Sequence, residues 1–198
     1  MEEQKQTSVD LKIDYIQPFW IFENALSKKL CELIIEEAKD FEMRMGVLGG
    51  EEHYDQGIRK TYIRWSSENH WFQSILQGAA WTANYNSGWN YNLTYSEKVQ
   101  IGIYEKSCHY DWHYDWMPFT KMPDIRKISL VCLLNDPSEF EGGELELSFN
   151  KPNLNETTIA PLKQGTIIAF PSFILHRVKE VTKGKRITAV SWVHGDRA

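Results

Sequence analysis

The apolar positions of this chain change period near residue 89. Upstream they recur at helical spacing. Leu30, Ile34, Ala38 and Phe41 follow Ser27 with Glu and Lys between them, which predicts an amphipathic helix over residues 28–40 capped by the Ser27 hydroxyl. A second helix is predicted over residues 70–84, where Trp71, Ile75, Leu76 and Ala79 share a face, with Trp71 and Trp81 read as packing residues. Ahead of the first helix, residues 13–19 alternate well enough to start a strand, and Trp20 follows. Residues 59–65 predict another strand, and the glycine-rich segment 46–57 before it is a loop that either connects or closes as a lid. From Trp89 the period is two: Trp89, Tyr91 and Leu93 alternate with Asn90 and Asn92. Strands are then predicted at 99–105, 110–116, 127–134, 144–148, 166–170, 175–180 and 186–194, with no helix among them. Helices first and many short strands after predict an α+β chain, mainly β, forming a barrel or sandwich with the N-terminal helices packed outside.

Length narrows this to one domain. The 198 residues divide into a loose arm over 1–11, a helical support region over 12–95 and a β core over 96–198. No apolar run approaches the roughly 18 residues of a membrane span, and residues 1–7 carry no apolar leader, so the expected location is the cytoplasm. Cys31, Cys108 and Cys132 are odd in number and lack CxxC spacing, which argues against a disulfide framework and a cysteine zinc site. The net charge of -5 offers no basic footprint, so no nucleic-acid partner is expected.

Chemistry concentrates in Cys108-His109-Tyr110-Asp111-Trp112-His113-Tyr114-Asp115-Trp116. In an extended strand, side chains two apart share a face, so the His and Asp of an H-x-D step can converge on one cation. The segment holds two such steps, His109-Tyr110-Asp111 and His113-Tyr114-Asp115, and its neighbours leave both open. His176 is the best distal third ligand. Two imidazoles and one carboxylate leave coordination positions free, an arrangement that suits non-haem Fe(II).

Taken together, His113-Tyr114-Asp115, His176, and Arg186 ten residues later resemble the Fe(II)- and 2-oxoglutarate-dependent dioxygenases, in particular the prolyl 4-hydroxylase-like branch. Glu141-Gly142-Gly143-Glu144-Leu145 and the stretch 165–171 add to the likeness, which covers most of the chain from about Leu26. The resemblance implies a double-stranded β-helix, jelly-roll or cupin-like, with the metal at one mouth. In that branch a Tyr lies nine residues before the first ligand and an aromatic residue three before it. Tyr104 and Tyr110 fit those places only for His113, so the resemblance assigns the metal to His113, Asp115 and His176. It further implies Arg186 as the cation for the distal carboxylate of 2-oxoglutarate, with Thr188 and Tyr104 adding hydroxyl hydrogen bonds. Tyr110, Arg126, Trp192 and His194 fall where related enzymes contact a peptide substrate. Fe(II), 2-oxoglutarate, O2 and ascorbate are the implied cofactors, and a proline-containing protein or peptide is the implied partner, with succinate and CO2 as co-products. Two departures stand out: Ser107 occupies a place where the family usually has Gly, and Leu133 one where many members have a Tyr.

Overall fold

Two antiparallel sheets stack face to face, and the candidate site lies between them. The computed structural model describes residues 16–47, 55–116, 123–149, 157–161 and 163–197. In chain order the elements are β1 (Trp20–Phe22), α1 (Lys28–Glu37), β2 (Met43–Met45), β3 (Arg59–Lys60), β4 (Tyr62–Trp65), α2 (Trp71–Asn86), β5 (Leu93–Ser96), β6 (Gln100–Glu105), β7 (His109–His113), β8 (Asp124–Leu133), β9 (Phe140–Gly142), β10 (Leu145–Ser148), β11 (Thr157–Ile159), β12 (Ile167–Pro171), β13 (Leu175–Val178) and β14 (Val181–Asp196). The larger sheet runs β1-β12-β8-β14-β6-β4-β2, with β5 and β9 also paired to β14, and the smaller runs β11-β10-β13-β7-β3. This is the mainly-β sandwich that the pattern predicts, in the jelly-roll-like double-stranded β-helix form that the resemblance implies.

Alternation along the central strands separates the two sides of the larger sheet. On β8, Ile128, Leu130 and Cys132 face the helices, and on β14 so do Ala189 and Val193. They pack there against Cys31 and Ile34 of α1 and against Phe72, Leu76, Ala80 and Ala83 of α2, which recur at helical spacing. Burying each large side chain of this set contributes roughly 1.5–3 kcal/mol. The opposite parity of β14, Arg186, Thr188, Val190 and Trp192, faces the gap between the sheets and lines its cavity. A one-residue slip would exchange the two sets, so this hydrophobic layer fixes which residues reach the site.

Local chemistry accounts for the differences from the expected elements. The first helix starts where Ser27 caps it, its hydroxyl accepting the Leu30 amide at 3.3 Å, and passes into a 3-10 turn over Ala38–Asp40. The first strand begins at Trp20, past Pro18, which has no N–H to give a ladder. The expected strand 110–116 ends at His113 because the amides of Asp115 and Trp116 turn away to the Ser172 carbonyl at 3.1 and 3.0 Å. A short 3-10 turn that the pattern did not show, Pro137–Glu139, is made by a capping box between Asp136 and Glu139. Trp81, read as packing, is 38% exposed on α2. The arm over 1–11 and residues 48–54 of the possible lid lie outside the described residues.

Candidate metal centre and co-substrate cavity

His113 ends β7 directly opposite His176 on β13, so the two imidazoles come from cross-strand partners on one face. Asp115 joins them from the turn held by Ser172. One donor atom from each of the three lies within 4.8 Å of the others, with His176 Nε2 at 3.3 Å from Asp115 Oδ2 and His113 Nε2 at 3.8 Å from Oδ1. Both imidazoles are oriented from behind. His113 Nδ1 donates to the Asp111 carbonyl at 2.7 Å and His176 Nδ1 to the Ile174 carbonyl at 2.9 Å. A carbonyl can only accept, so Nδ1 carries the proton and Nε2 presents its lone pair to the centre. Burial, reinforced by the neighbouring His176, pushes His113 down to about 3. Burial alone would raise the Asp115 carboxyl, but His176 and His113 beside it outweigh that and hold it well below the ordinary carboxylate range. With each Nδ1 tied to a carbonyl, both Nε2 atoms and the ionised carboxylate face one point, a donor set that can bind a cation. Behind the carboxylate, Ser129 Oγ donates to Asp115 Oδ2 at 2.7 Å and lies 2.9 Å from Ser172 Oγ.

The cavity beside these ligands has a volume of about 200 Å³, with Arg186, Thr188 and Tyr104 on its wall. Arg186 on β14 faces Tyr104 on β6 in register, its guanidinium 5.4 Å from the ring centroid. It is 2% exposed, and its Nε has no hydrogen-bond partner among the described residues. Burial lowers its pKa, opposed by Tyr104 and Glu144. Two glycines make room here. A Cβ at Gly143, which holds φ +69, would sit 2.8 Å from Arg186 Cδ, and one at Gly102 would sit 3.1 Å from Thr188 Oγ1 and 3.2 Å from Tyr104. A buried guanidinium with an unmet donor, in the cavity of a two-imidazole, one-carboxylate cluster, fits a dianionic keto acid bridging metal and cation. Leu133 is buried opposite Thr188 and presents hydrocarbon there.

Three of the four expected substrate residues line the same cavity: Tyr110, Arg126 and Trp192. Tyr110 stacks on His113 with centroids 3.4 Å apart. Arg126 lies 3.9 Å over the Trp192 ring and gives Nε and Nη2 to Glu97 at 2.5 and 2.8 Å. His194 does not reach the wall. Its Nε2 meets Glu97 Oε1 at 2.7 Å and its Nδ1 meets the Tyr95 hydroxyl at 3.1 Å, so it braces Glu97 from behind. Glu97, Ser129, Arg59 and Gln100 escaped the sequence reading, because each acts through a partner at least 14 residues away.

His109, in the first copy of the repeated step, is outside the donor cluster. Its Nε2 lies 3.2 Å from the Gly57 carbonyl. Ser107 holds φ +66, a left-handed conformation that costs a non-glycine residue roughly 1–2 kcal/mol and explains the Gly usual at that place. Its hydroxyl accepts Lys60 Nζ at 2.6 Å in partial return. His70 caps α2 by accepting the Phe72 amide at Nδ1 and lies 3.1 Å from Glu37.

A family model described as the 2OG-Fe(II) oxygenase superfamily matches residues 99–194, which include all three metal-site candidates and Arg186. A PKHD-type hydroxylase from Prochlorococcus marinus is 46% identical over 66 residues, which are 33% of this chain and 28% of that protein. The alignment thus spans well under half of that relative's length. A PKHD-type hydroxylase from a Synechococcus strain is 30% identical over 171 residues, covering 85% of this chain and 74% of its own. Among solved structures, a Pseudomonas putida prolyl-4-hydroxylase superposes with a TM-score of 0.70 at 17% identity, over 91% of this chain and 93% of that one, a likeness of fold. With an aligned relative at that identity and coverage, and with the metal-site and Arg186 positions inside the matched segment, the chain belongs to the 2OG-Fe(II) oxygenase superfamily.

Proposed function

We propose that this protein is a 2-oxoglutarate-dependent dioxygenase that hydroxylates an unactivated C–H bond, and that its substrate is a prolyl residue in a protein or peptide. One observation carries the oxygenase reading. The His113, Asp115, His176 cluster shares a cavity with the buried Arg186, whose Nε has no partner among the described residues. His113 Nε2, Asp115 and His176 Nε2 would hold Fe(II), which when bound supplies O2 activation coupled to oxidation of 2-oxoglutarate to succinate and CO2. Arg186 would fork onto the distal carboxylate of the co-substrate, aided by the hydroxyls of Thr188 and Tyr104. Zinc hydrolysis would use the same three ligands but gives Arg186 no role.

The prolyl reading rests on Tyr110, Arg126 and Trp192 together with the names of the relatives and structural neighbours. Tyr110 is stacked on a candidate ligand, so a ring packed against it lies close to the reacting centre. Glu97 fixes Arg126 over Trp192, forming a preorganised wall that orients substrate and excludes water. Incubation with Fe(II), 2-oxoglutarate, O2 and a proline-scanning peptide library, read by succinate release and peptide mass, tests both levels. One added oxygen on a prolyl residue is the expected result. Succinate release stimulated only by free amino acids would refute the peptide substrate, and no succinate under any condition would refute the oxygenase.

A further inference from the structure

The cavity contains two guanidinium groups besides Arg186, and they differ in how their charge is met. Arg126 is neutralised by Glu97. Arg59 is not. Its Nη1 donates to the Val47 carbonyl at 2.8 Å and its Nη2 to Gln100 Oε1 at 2.9 Å, both neutral acceptors, while its Nε is buried with no partner among the described residues. The Nε is packed against Gly46, where a Cβ would lie 2.6 Å from it, but each Nη has a second N–H beyond the one already given, and a cavity-lining guanidinium whose described acceptors are neutral favours an anionic one most. Gln100, 6% exposed, spends its oxygen on Arg59, so what it has left to offer is the N–H donors of its amide. The pair therefore presents donors and positive charge together. Its position is equally specific. Arg59 lies 4.5 Å over the Tyr110 ring, and Tyr110 stacks at 3.4 Å on His113. One aromatic ring separates this cation from a candidate metal ligand.

We propose that Arg59, assisted by Gln100, is a specificity-determining subsite that binds a carboxylate of the substrate. The carboxylate belongs either to an acidic residue flanking the target in a peptide or to a small substrate itself. The inference rests on the reading that Arg186 takes 2-oxoglutarate, which leaves the Tyr110 side of the cavity for the substrate. A charge-assisted contact of this kind favours acid over amide by about tenfold or more.

The test is equilibrium binding, without O2, to full-length protein loaded with Mn(II) and 2-oxoglutarate, using three acid and amide pairs. These are prolyl peptides with Asp or Glu flanks against the same peptides with Asn or Gln, L-proline against L-prolinamide, and N-acetylglutamate against N-acetylglutamine. Wild-type protein is expected to prefer the acid in at least one pair by about tenfold, Arg59→Gln to lose that preference, and Arg59→Lys to keep part of it. The Lys variant separates loss of the cation from a disordered cavity. Preference confined to the peptide pair identifies a flanking acid, and preference confined to L-proline identifies a free substrate. Binding of N-acetylglutamate with no prolyl compound bound would keep the subsite while refuting the prolyl reading. Absence of acid preference in every pair, its survival in Arg59→Gln, or a matching loss of 2-oxoglutarate affinity in that variant would overturn the Arg59 subsite.

Discussion

Arg186→Met separates function from stability at one position. The guanidinium is 2% exposed, its Nε is unpaired among the described residues, and burial lowers its pKa, so before co-substrate binds the charge costs the fold more than it returns. Replacing a buried charge with hydrocarbon of similar length is commonly neutral or stabilising by about 1–4 kcal/mol. For a protein of this size each kcal/mol moves Tm by about 2–4 °C, so the ligand-free variant should melt several degrees above wild type. Co-substrate binding should go the other way. Losing two charge-assisted hydrogen bonds of about 1.5–3 kcal/mol each weakens 2-oxoglutarate by a factor of about 10² to 10⁴. Differential scanning fluorimetry with Mn(II), with and without 2-oxoglutarate, reads both effects. Wild type should rise on adding 2-oxoglutarate, whereas Arg186→Met should start higher and stay there. A variant that melts lower than wild type and still responds to 2-oxoglutarate would refute the assignment of Arg186 as the co-substrate's cation.

His113→Ala should lose stoichiometric Fe(II) binding by equilibrium dialysis while His109→Ala retains it, since only His113 shares the donor cluster. Ser129→Ala removes the hydroxyl that donates to Asp115 Oδ2 and should weaken metal binding about 10-fold to 100-fold with little change in secondary structure, measured by Mn(II) titration and circular dichroism. Glu97 is pulled up by burial but pulled down further by His194 and Arg126, so its folded pKa lies below the unfolded carboxylate value of about 4.3. Its contribution to stability is thus present above that value and lost as pH falls through the folded one. Urea unfolding of Glu97→Gln should show a larger deficit against wild type at pH 7 than near pH 3, and an equal deficit at both would contradict the ion-pair account.

Where a feature depends on neighbours in sequence, it could be read in advance. The first helix announces itself through Ser27 and the apolar spacing that follows, and the two helices appear where their period places them. The metal-site candidates could be named in advance only through the family resemblance: His176 by its spacing to Arg186, and His113 with Asp115, rather than the identical step at His109, by the places of Tyr104 and Tyr110. The supports were not legible. Glu97 meets Arg126 across 29 positions, Ser129 meets Ser172 across 43 and Arg59 meets Gln100 across 41, and nothing local marks any of them. Strand β14 extends five residues ahead of its expected start because Gly184, at φ +73, allows the backbone a close approach that a side chain would forbid: a Cβ there would lie 1.9 Å from the Glu139 carbonyl oxygen. A glycine inside a charged run, Lys183-Gly184-Lys185-Arg186, reads as a turn rather than as a bend within a strand.

The central claim is that His113, Asp115 and His176 hold one ferrous ion while Arg186 grips the far carboxylate of 2-oxoglutarate. A crystal structure of the protein grown without O2 in Mn(II) and 2-oxoglutarate tests it most directly. The account predicts a single ion ligated by His113 Nε2, Asp115 and His176 Nε2, with the guanidinium of Arg186 within about 2.7–3.2 Å of the distal carboxylate oxygens. An ion held by His109 and Asp111, or a co-substrate whose distal carboxylate lies away from Arg186, would contradict it.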